Sequence, residues 1–430
     1  MKNILTKLKQ HPKYDTLLNW GKLISITGGA QIIVQAVGFA SGILIIRLLP
    51  VKEYALYTLA NTMLGTMTVL ADGGISTGVM AQGAKVWQDK EKLGAVLVTG
   101  LDLRRKFAVG SLVVATPILI YLLLHNGASW LTTVLIVASL IPAFFAALSD
   151  TLLEIVPKLH RDILPLQKNQ VVVGVGRLLL TGLTIFIFPW TFVAILASGI
   201  PRIYGNIKLK KIAFFKVDSQ QKPDDKIRNE ILVVVGRMMP ESIFYCVSGQ
   251  ITIWILSLFG NVNSLASIGA IGKFGVVFNF FAVIFGILIV PEFAKLVMIK
   301  SNLKRAIMAV LAGCFLLTII VISITSIFSD ELLWILGEQY QNLNNELVLS
   351  MICACISFFQ VCFFGLNSSR GWIINPILYI SMVILSIILA ILIFDVSTLT
   401  GVLYFNIAVT SVQAIILFIY CFYRINKIKI

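Results

Sequence analysis

Charge is scarce in this chain, and what there is lies unevenly. Only 13% of its 430 residues are Asp, Glu, Lys or Arg, 58% are hydrophobic, and the mean hydropathy is +0.93. That balance excludes both a disordered segment and an ordinary soluble domain, and it predicts an integral membrane protein. Histidine is scarcer still: His11, His125 and His160 stand far apart. The six cysteines (Cys246, Cys314, Cys353, Cys355, Cys362 and Cys421) lie in apolar runs, and none forms a CxxC. A disulfide framework or a zinc site is therefore not expected, and no cofactor or metal is predicted. A phosphate-binding P-loop is also missing. The stretch "GAIGKF" (269–274) is too short, lacks the hydroxyl residue and lies in an apolar run, which excludes ATP hydrolysis by this chain. No Ser–His–acid set stands out, and the loops expected outside the membrane are short, the longest being 329–345. An enzyme is not predicted.

What is present is a succession of long apolar runs. A helix crossing a bilayer needs ~20 apolar residues. By that measure about twelve spans are predicted. The first six are 22–46, 54–82, 106–125, 129–150, 168–188 and 190–207. The second six are 231–258, 264–294, 306–328, 346–367, 375–394 and 400–423. The fold class expected is all-α, in two six-helix lobes: 1–207 and 231–430, joined by a charged linker over 208–230, "KLKKIAFFKVDSQQKPDDKIRNE". Four lysines precede the first run, and no short apolar core with an Ala-x-Ala site follows, so the run reads as an uncleaved span.

The net charge of +15 could suggest a nucleic-acid partner. The cations, however, flank apolar runs instead of forming one patch, which is how membrane proteins encode orientation. With the N-terminus in the cytoplasm, every loop cation except Arg47 and Lys52 falls on the inner side. Both termini are then inside, and Trp130 and Trp190 sit at the outer interface. Residues 47–85 also align with 257–295 without gaps, pairing Leu48, Ala60, Gly65, Ala84 and Lys85 with Leu258, Ala270, Gly275, Ala294 and Lys295. The identity is weak, but both halves carry six spans in the same orientation. This is the pattern of a parallel repeat about an axis along the membrane normal.

Charges inside the spans point to function. Arg177, Arg202, Arg237 and Lys273 are cations within apolar runs, and Asp72 and Glu241 are carboxylates. Each costs at least ~2.5 kcal/mol at a bilayer centre, so each needs a partner or a wet cavity. At helical spacing, Arg237 shares a face with Glu241, Tyr245, Ser248 and Thr252. Arg177 shares one with Gln170, Gly174, Thr181 and Thr184, and Asp72 shares one with Asn61, Gly65, Thr68 and Ser76. Such stripes suit the wall of a polar cavity, the alternative being interhelical hydrogen bonding with small-residue packing. Arg237 and Glu241 are also spaced as a structural i,i+4 pair, and Arg202 is near enough to the inner end to snorkel. Four cations against two carboxylates favour an anionic guest. Prolines at 117, 142, 201, 240 and 291 lie inside spans, where kinks and freed backbone groups are tolerated beside a cavity or a neighbouring helix.

The stretch "RLLPVKEYALYTLANTMLGTMTVLADGGISTG" (47–78) resembles the start of the Wzx-type polysaccharide flippases of the multidrug/oligosaccharidyl-lipid/polysaccharide (MOP) exporter superfamily. Arg47, Leu49, Glu53, Tyr54, Tyr57, Asp72 and Gly74 match the family pattern, while Ala55 stands where glycine is usual. "ILGEQYQNL" (335–343) similarly resembles the outer segment before the tenth span through Gly337 and Tyr340. The resemblance implies two six-helix lobes around a cleft that opens alternately to each side. It also implies a substrate, a polyprenyl-pyrophosphate-linked oligosaccharide moved from the cytoplasmic to the outer leaflet of a bacterial inner membrane. Its partners would be the bilayer and the polysaccharide polymerase and chain-length machinery. On the charge argument, Arg177, Arg237 and Lys273 are the expected pyrophosphate ligands. Asp72 and Glu241 are the expected coupling groups, and Asn61, Thr68, Thr181, Tyr245, Ser248 and Thr252 the expected cavity lining. A cation-coupled drug antiporter of the same superfamily is the rival reading; a membrane glycosyl-transferring enzyme such as a polymerase is the rival from another class.

Overall fold

A computed structural model gives the fold. It describes residues 14–427 apart from 161, 219, 298 and 373, and the side chains of these except 14–28, 30, 31, 241, 245, 287, 288 and 291. Among the described residues the regular structure is entirely helical. In chain order it comprises α1 (Tyr14–Leu48), α2 (Val51–Asp72), α3 (Ile75–Val86), α4 (Lys90–His125), α5 (Trp130–Leu153) and α6 (Ile155–Leu159). There follow α7 (Ile163–Ile187), α8 (Thr191–Lys216), α9 (Asp225–Phe259), α10 (Val262–Ile271) and α11 (Val276–Lys295). The last five are α12 (Lys300–Ile327), α13 (Ser329–Leu336), α14 (Asn344–Ser369), α15 (Pro376–Ile393) and α16 (Leu399–Asn426).

Among the described residues nine helices are long and apolar enough to cross a membrane, and Ile32–Leu48 is a shorter apolar helix. These account for all but two of the predicted spans, 54–82 and 190–207. Both lie in helices, but α2 is diluted by threonines and Asn61, and α8 by Arg202 and a lysine cluster. Two predicted spans are also discontinuous. The 54–82 run breaks between α2 and α3, where Gly73 and Gly74 take positive φ angles of 47° and 97°. Only glycine adopts such angles without strain. The 264–294 run breaks at a 3-10 turn, Gly272–Gly275, between α10 and α11. Pro117, Pro142, Pro201 and Pro240 lie within helices that continue through them. Helices α4, α8 and α9 extend well past the apolar runs into charged sequence, so only 217–224 separates α8 from α9. That connection is held by Asp218 N donating to Lys90 O (3.1 Å) and Asp224 N to the Thr99 hydroxyl (3.0 Å).

The chain divides into two compact units. The first comprises Met1–Ile45, Met63–Pro117 and Val134–Ile243; the second comprises Ile46–Thr62, Ile118–Thr133 and Phe244–Ile430. The core of the first is aliphatic, with Ile75, Val79, Leu97, Leu152, Val156, Leu209 and Ile231 almost fully buried. Here α7 and α8 run antiparallel: Asn169 Nδ2 donates to Gly205 O (3.0 Å), and a Cβ at Gly205 would lie 2.2 Å from Val173 Cγ2. The absent side chain is what lets these two helices close.

In the second unit α14 and α16 run side by side in the same direction. Gln360 Nε2 donates to Gln413 Oε1 (2.7 Å), and Asn367 Nδ2 to Leu417 O (3.0 Å). The two stretches that carry the family resemblance meet in this unit. Arg47 Nε donates to Ile335 O (2.9 Å), its guanidinium lies 4.8 Å from the Trp334 ring centre, and Gln339 Nε2 donates to Ile46 O (3.2 Å). A cation there satisfies carbonyls that the end of α13 leaves without helical partners. Arg370 does the same at the end of α11, donating to the carbonyls of Phe293 and Leu296 and lying 5.0 Å from the Phe293 ring centre.

Candidate transport site: buried ion pairs and unpaired cations

Asp72 ends α2, immediately before the glycine break. Its carboxylate accepts from the Ser76 backbone N–H (3.1 Å) and hydroxyl (2.7 Å), tying the start of α3 to the end of α2. It also forms an ion pair with Arg104 of α4. Arg104 is 3% exposed and donates further to Leu148 O and the Thr151 hydroxyl on α5. One guanidinium thus links α2, α3, α4 and α5. The break itself is seated on α9: a Cβ at Gly74 would lie 2.9 Å from Met238 Cβ, and one at Gly73 would lie 3.6 Å from Met239 Cγ. Met238 follows Arg237 directly, so the segment carrying Asp72 packs on the segment carrying Arg237.

A second pair lies in the same unit. Arg202 Nε on α8 donates to Asp150 Oδ2 on α5 (3.0 Å), and Asn206 Nδ2 donates to Asp150 Oδ1 (2.7 Å) and to Ser149 Oγ (2.7 Å). A carboxylate on another helix thus pairs with Arg202. Neither Arg104 nor Asp150 figured among the membrane charges read from the sequence, because each lies at the edge of its apolar run. Adding one of each sign leaves the cationic excess unchanged.

The remaining cations are placed differently. Arg177, on α7, is half-buried, and its Nε is buried with no hydrogen-bond partner. Arg237, on α9, is exposed, and Lys273 sits half-buried in the 3-10 turn between α10 and α11. Among the described residues none of the three forms an ion pair. Arg177 and Arg237 belong to the first unit and Lys273 to the second. The side chains of Glu241 and Tyr245 lie outside the described residues, so the Arg237–Glu241 pair does too.

The predicted lining residues are dispersed. Thr181 is fully buried on α7 and its hydroxyl has no partner. Gln170, lower on the same stripe, donates to Glu154 (3.1 Å), and Thr184 donates to Leu180 O (2.7 Å). Asn61 is exposed in the second unit; Thr68, in the first, donates back to Leu64 O (2.7 Å). Ser248 is half-buried and has an interaction partner. Thr252 donates to Asn406 Oδ1 on α16 (2.5 Å), and Thr410 one turn on donates to Asn406 O (2.6 Å). Asn406, Thr410, Gln360 and Gln413 make up a neutral polar seam of the second unit that charge-seeking overlooks. Among the described residues no group of His, Cys, Asp or Glu could hold a metal ion.

No family model matches the chain, and no curated protein matches it. Solved structures do. An inward-facing multidrug resistance MATE family transporter of the MOP superfamily superposes with a TM-score of 0.71 at 16% identity, over 92% of this chain and 95% of that one. An outward-facing structure of a multidrug resistance MATE transporter gives 0.61 at 15% identity, over 98% and 97%. A MOP superfamily transporter from Pyrococcus furiosus, described as having a binding pocket of reversed polarity that suggests a different function, gives 0.65 at 17% identity, over 98% of each chain. These neighbours are transporters, and the TM-scores with near-complete coverage give this chain their fold.

Proposed function

We propose that the protein is a flippase for a polyprenyl-pyrophosphate-linked oligosaccharide, an O-antigen or capsule repeat unit, working by alternating access between two six-helix lobes. The observation that carries this reading is the partition of membrane charge. Of the described carboxylates of the spans, Asp72 and Asp150 are each neutralised by an arginine, Glu292 pairs with Lys295, and Glu346, at a span end, accepts from Thr400. Arg177, Arg237 and Lys273 are left without ion pairs among the described residues. A surplus of unpaired cations fits a pyrophosphate, which accepts several charge-assisted hydrogen bonds, and repels a cationic drug. In this reading Arg177, Arg237 and Lys273 neutralise the pyrophosphate in a wet cleft while the prenyl tail stays in lipid. Asp72 and Glu241 couple the two states by exchanging ion-pair partners or protons. The setting is a bacterial inner membrane with both termini in the cytoplasm, beside the polymerase and chain-length machinery.

The second reading, a cation-coupled multidrug antiporter, is favoured by the neighbours described as multidrug transporters. Export of lipid-linked glycan in cells separates the two. Arg177→Met, Arg237→Met and Lys273→Met at wild-type expression are each expected to lower surface glycan at least about tenfold, the equivalent of one lost charge-assisted contact. Full export by Arg237→Met rules out its role as an anion ligand, full export by all three rules out the cationic site, and undiminished surface glycan in cells lacking the protein rules out the flippase assignment.

A further inference from the structure

We infer that the first unit holds an anionic phospholipid by its headgroup, at a site separate from the transported substrate. A cavity of about 470 Å³ lies between α4, α5 and α8. Its wall carries three cations, Arg104, Arg105 and Lys210, together with Ser149 and Asn206, and among the described residues no carboxylate lines it. Two acids border this network: Asp72 is paired with Arg104, and Asp150 is occupied by Arg202 and Asn206. Arg104 is nearly fully buried and already paired with Asp72, so the charge open to a guest is that of Arg105 and Lys210. Arg105 and Lys210 are exposed, so they are free to close over a guest.

The position of the cavity identifies the guest. Arg104 and Arg105, followed by Lys106, stand just before the apolar stretch of α4, and Lys210, preceded by Lys208, stands just after that of α8. The cations therefore lie at the same depth, where an apolar helix surface gives way to charge. On the apolar side the rim is Phe145 and Ile207, 42% and 54% exposed. A basic pocket between membrane helices, opening beside exposed apolar side chains, is complementary to a phosphodiester headgroup whose acyl chains lie along those side chains. A soluble phosphate would use the cations and leave the apolar rim without a role.

Thermal unfolding of the purified full-length chain in neutral detergent tests this, with short-chain phosphatidylglycerol, the matching phosphatidylcholine and inorganic phosphate as probes. A ligand that binds only the folded state raises the midpoint with concentration. The expected result is stabilisation by phosphatidylglycerol and none by the other two. Arg105→Gln/Lys210→Gln should weaken the apparent affinity about tenfold or more. The charge-matched control Lys168→Gln/Arg305→Gln, at exposed positions elsewhere, should leave it intact, and Arg105→Lys/Lys210→Arg should retain binding. Equal stabilisation by inorganic phosphate makes the cavity a soluble-anion site and overturns the lipid assignment. Equal stabilisation by phosphatidylcholine overturns the role of charge, and equal loss in the control pair overturns the location. None of these outcomes touches Arg177, Arg237 or Lys273, so the transported substrate is judged separately.

Discussion

The two compact units solve the same problem, polar groups in an apolar setting, by different chemistry. The first uses full charges: Asp72–Arg104 and Asp150–Arg202 bridge helices that are otherwise aliphatic. The second uses neutral hydrogen bonds, Thr252–Asn406 and Gln360–Gln413, and keeps Arg47 and Arg370 for the ends of α13 and α11. A buried ion pair is costly to form and costlier to break, because removing one partner strands the other. A neutral pair in a membrane contributes little and can be replaced. The first unit is thus anchored by one buried contact, Asp72–Arg104, whose loss is expensive, and the second by neutral contacts whose individual loss is cheap.

That contrast can be broken or sharpened by substitution, read as thermal stability of the purified protein. Arg104→Met should be the most damaging, at about 3–5 kcal/mol, because it leaves Asp72 half-buried without its counter-charge. Combining it with Asp72→Asn should recover a large part of the loss, and failure to recover would deny that the pair acts as a unit. Gly74→Ala comes next, at about 1–3 kcal/mol, since alanine at a φ of 97° is strained and its Cβ meets Met238. Arg202→Met should cost no more than about 1 kcal/mol, because the Arg202 side chain is 41% exposed and water screens the pair. Thr252→Val in the second unit should cost least, about 0.6 kcal/mol. A Thr252 loss equal to that of Arg104 would erase the distinction between the units.

Much of the fold is legible in the sequence because a bilayer imposes length and hydropathy on whatever crosses it. The runs from 22–46 to 400–423 fall in helices, two of them broken, at Gly73–Gly74 and at Gly272–Gly275. What hydropathy does not encode is where a helix stops. Helices α4 and α9 begin at Lys90 and Asp225, well before their apolar runs, since helix formation is indifferent to the polarity of residues in water. This concealed Arg104: in "LDLRRKF" it reads as a loop cation, whereas it lies within α4, facing Asp72. Asp150 is the last residue of the 129–150 run, where it reads as a span end, whereas the helix continues to Leu153. The helix break after Asp72 is written in Gly73 and Gly74, yet an apolar run passes straight over it, because glycine barely changes hydropathy. The neutral seam around Asn406 was invisible to a search for charge, since an isolated Asn in an apolar helix carries no signal of its partner.

The central claim is that Arg177, Arg237 and Lys273, which form no ion pair among the described residues, bind an anionic lipid-linked guest. Its most direct test is equilibrium binding of polyprenyl pyrophosphate and of a lipophilic cation to the purified full-length protein in a neutral bilayer, with and without Arg177→Met/Arg237→Met. Tight binding of the pyrophosphate, weakened about a hundredfold or more by the double substitution, with no saturable binding of the cation, is the predicted result. Saturable binding of the cation, with pyrophosphate binding absent or unchanged by the double substitution, would contradict it.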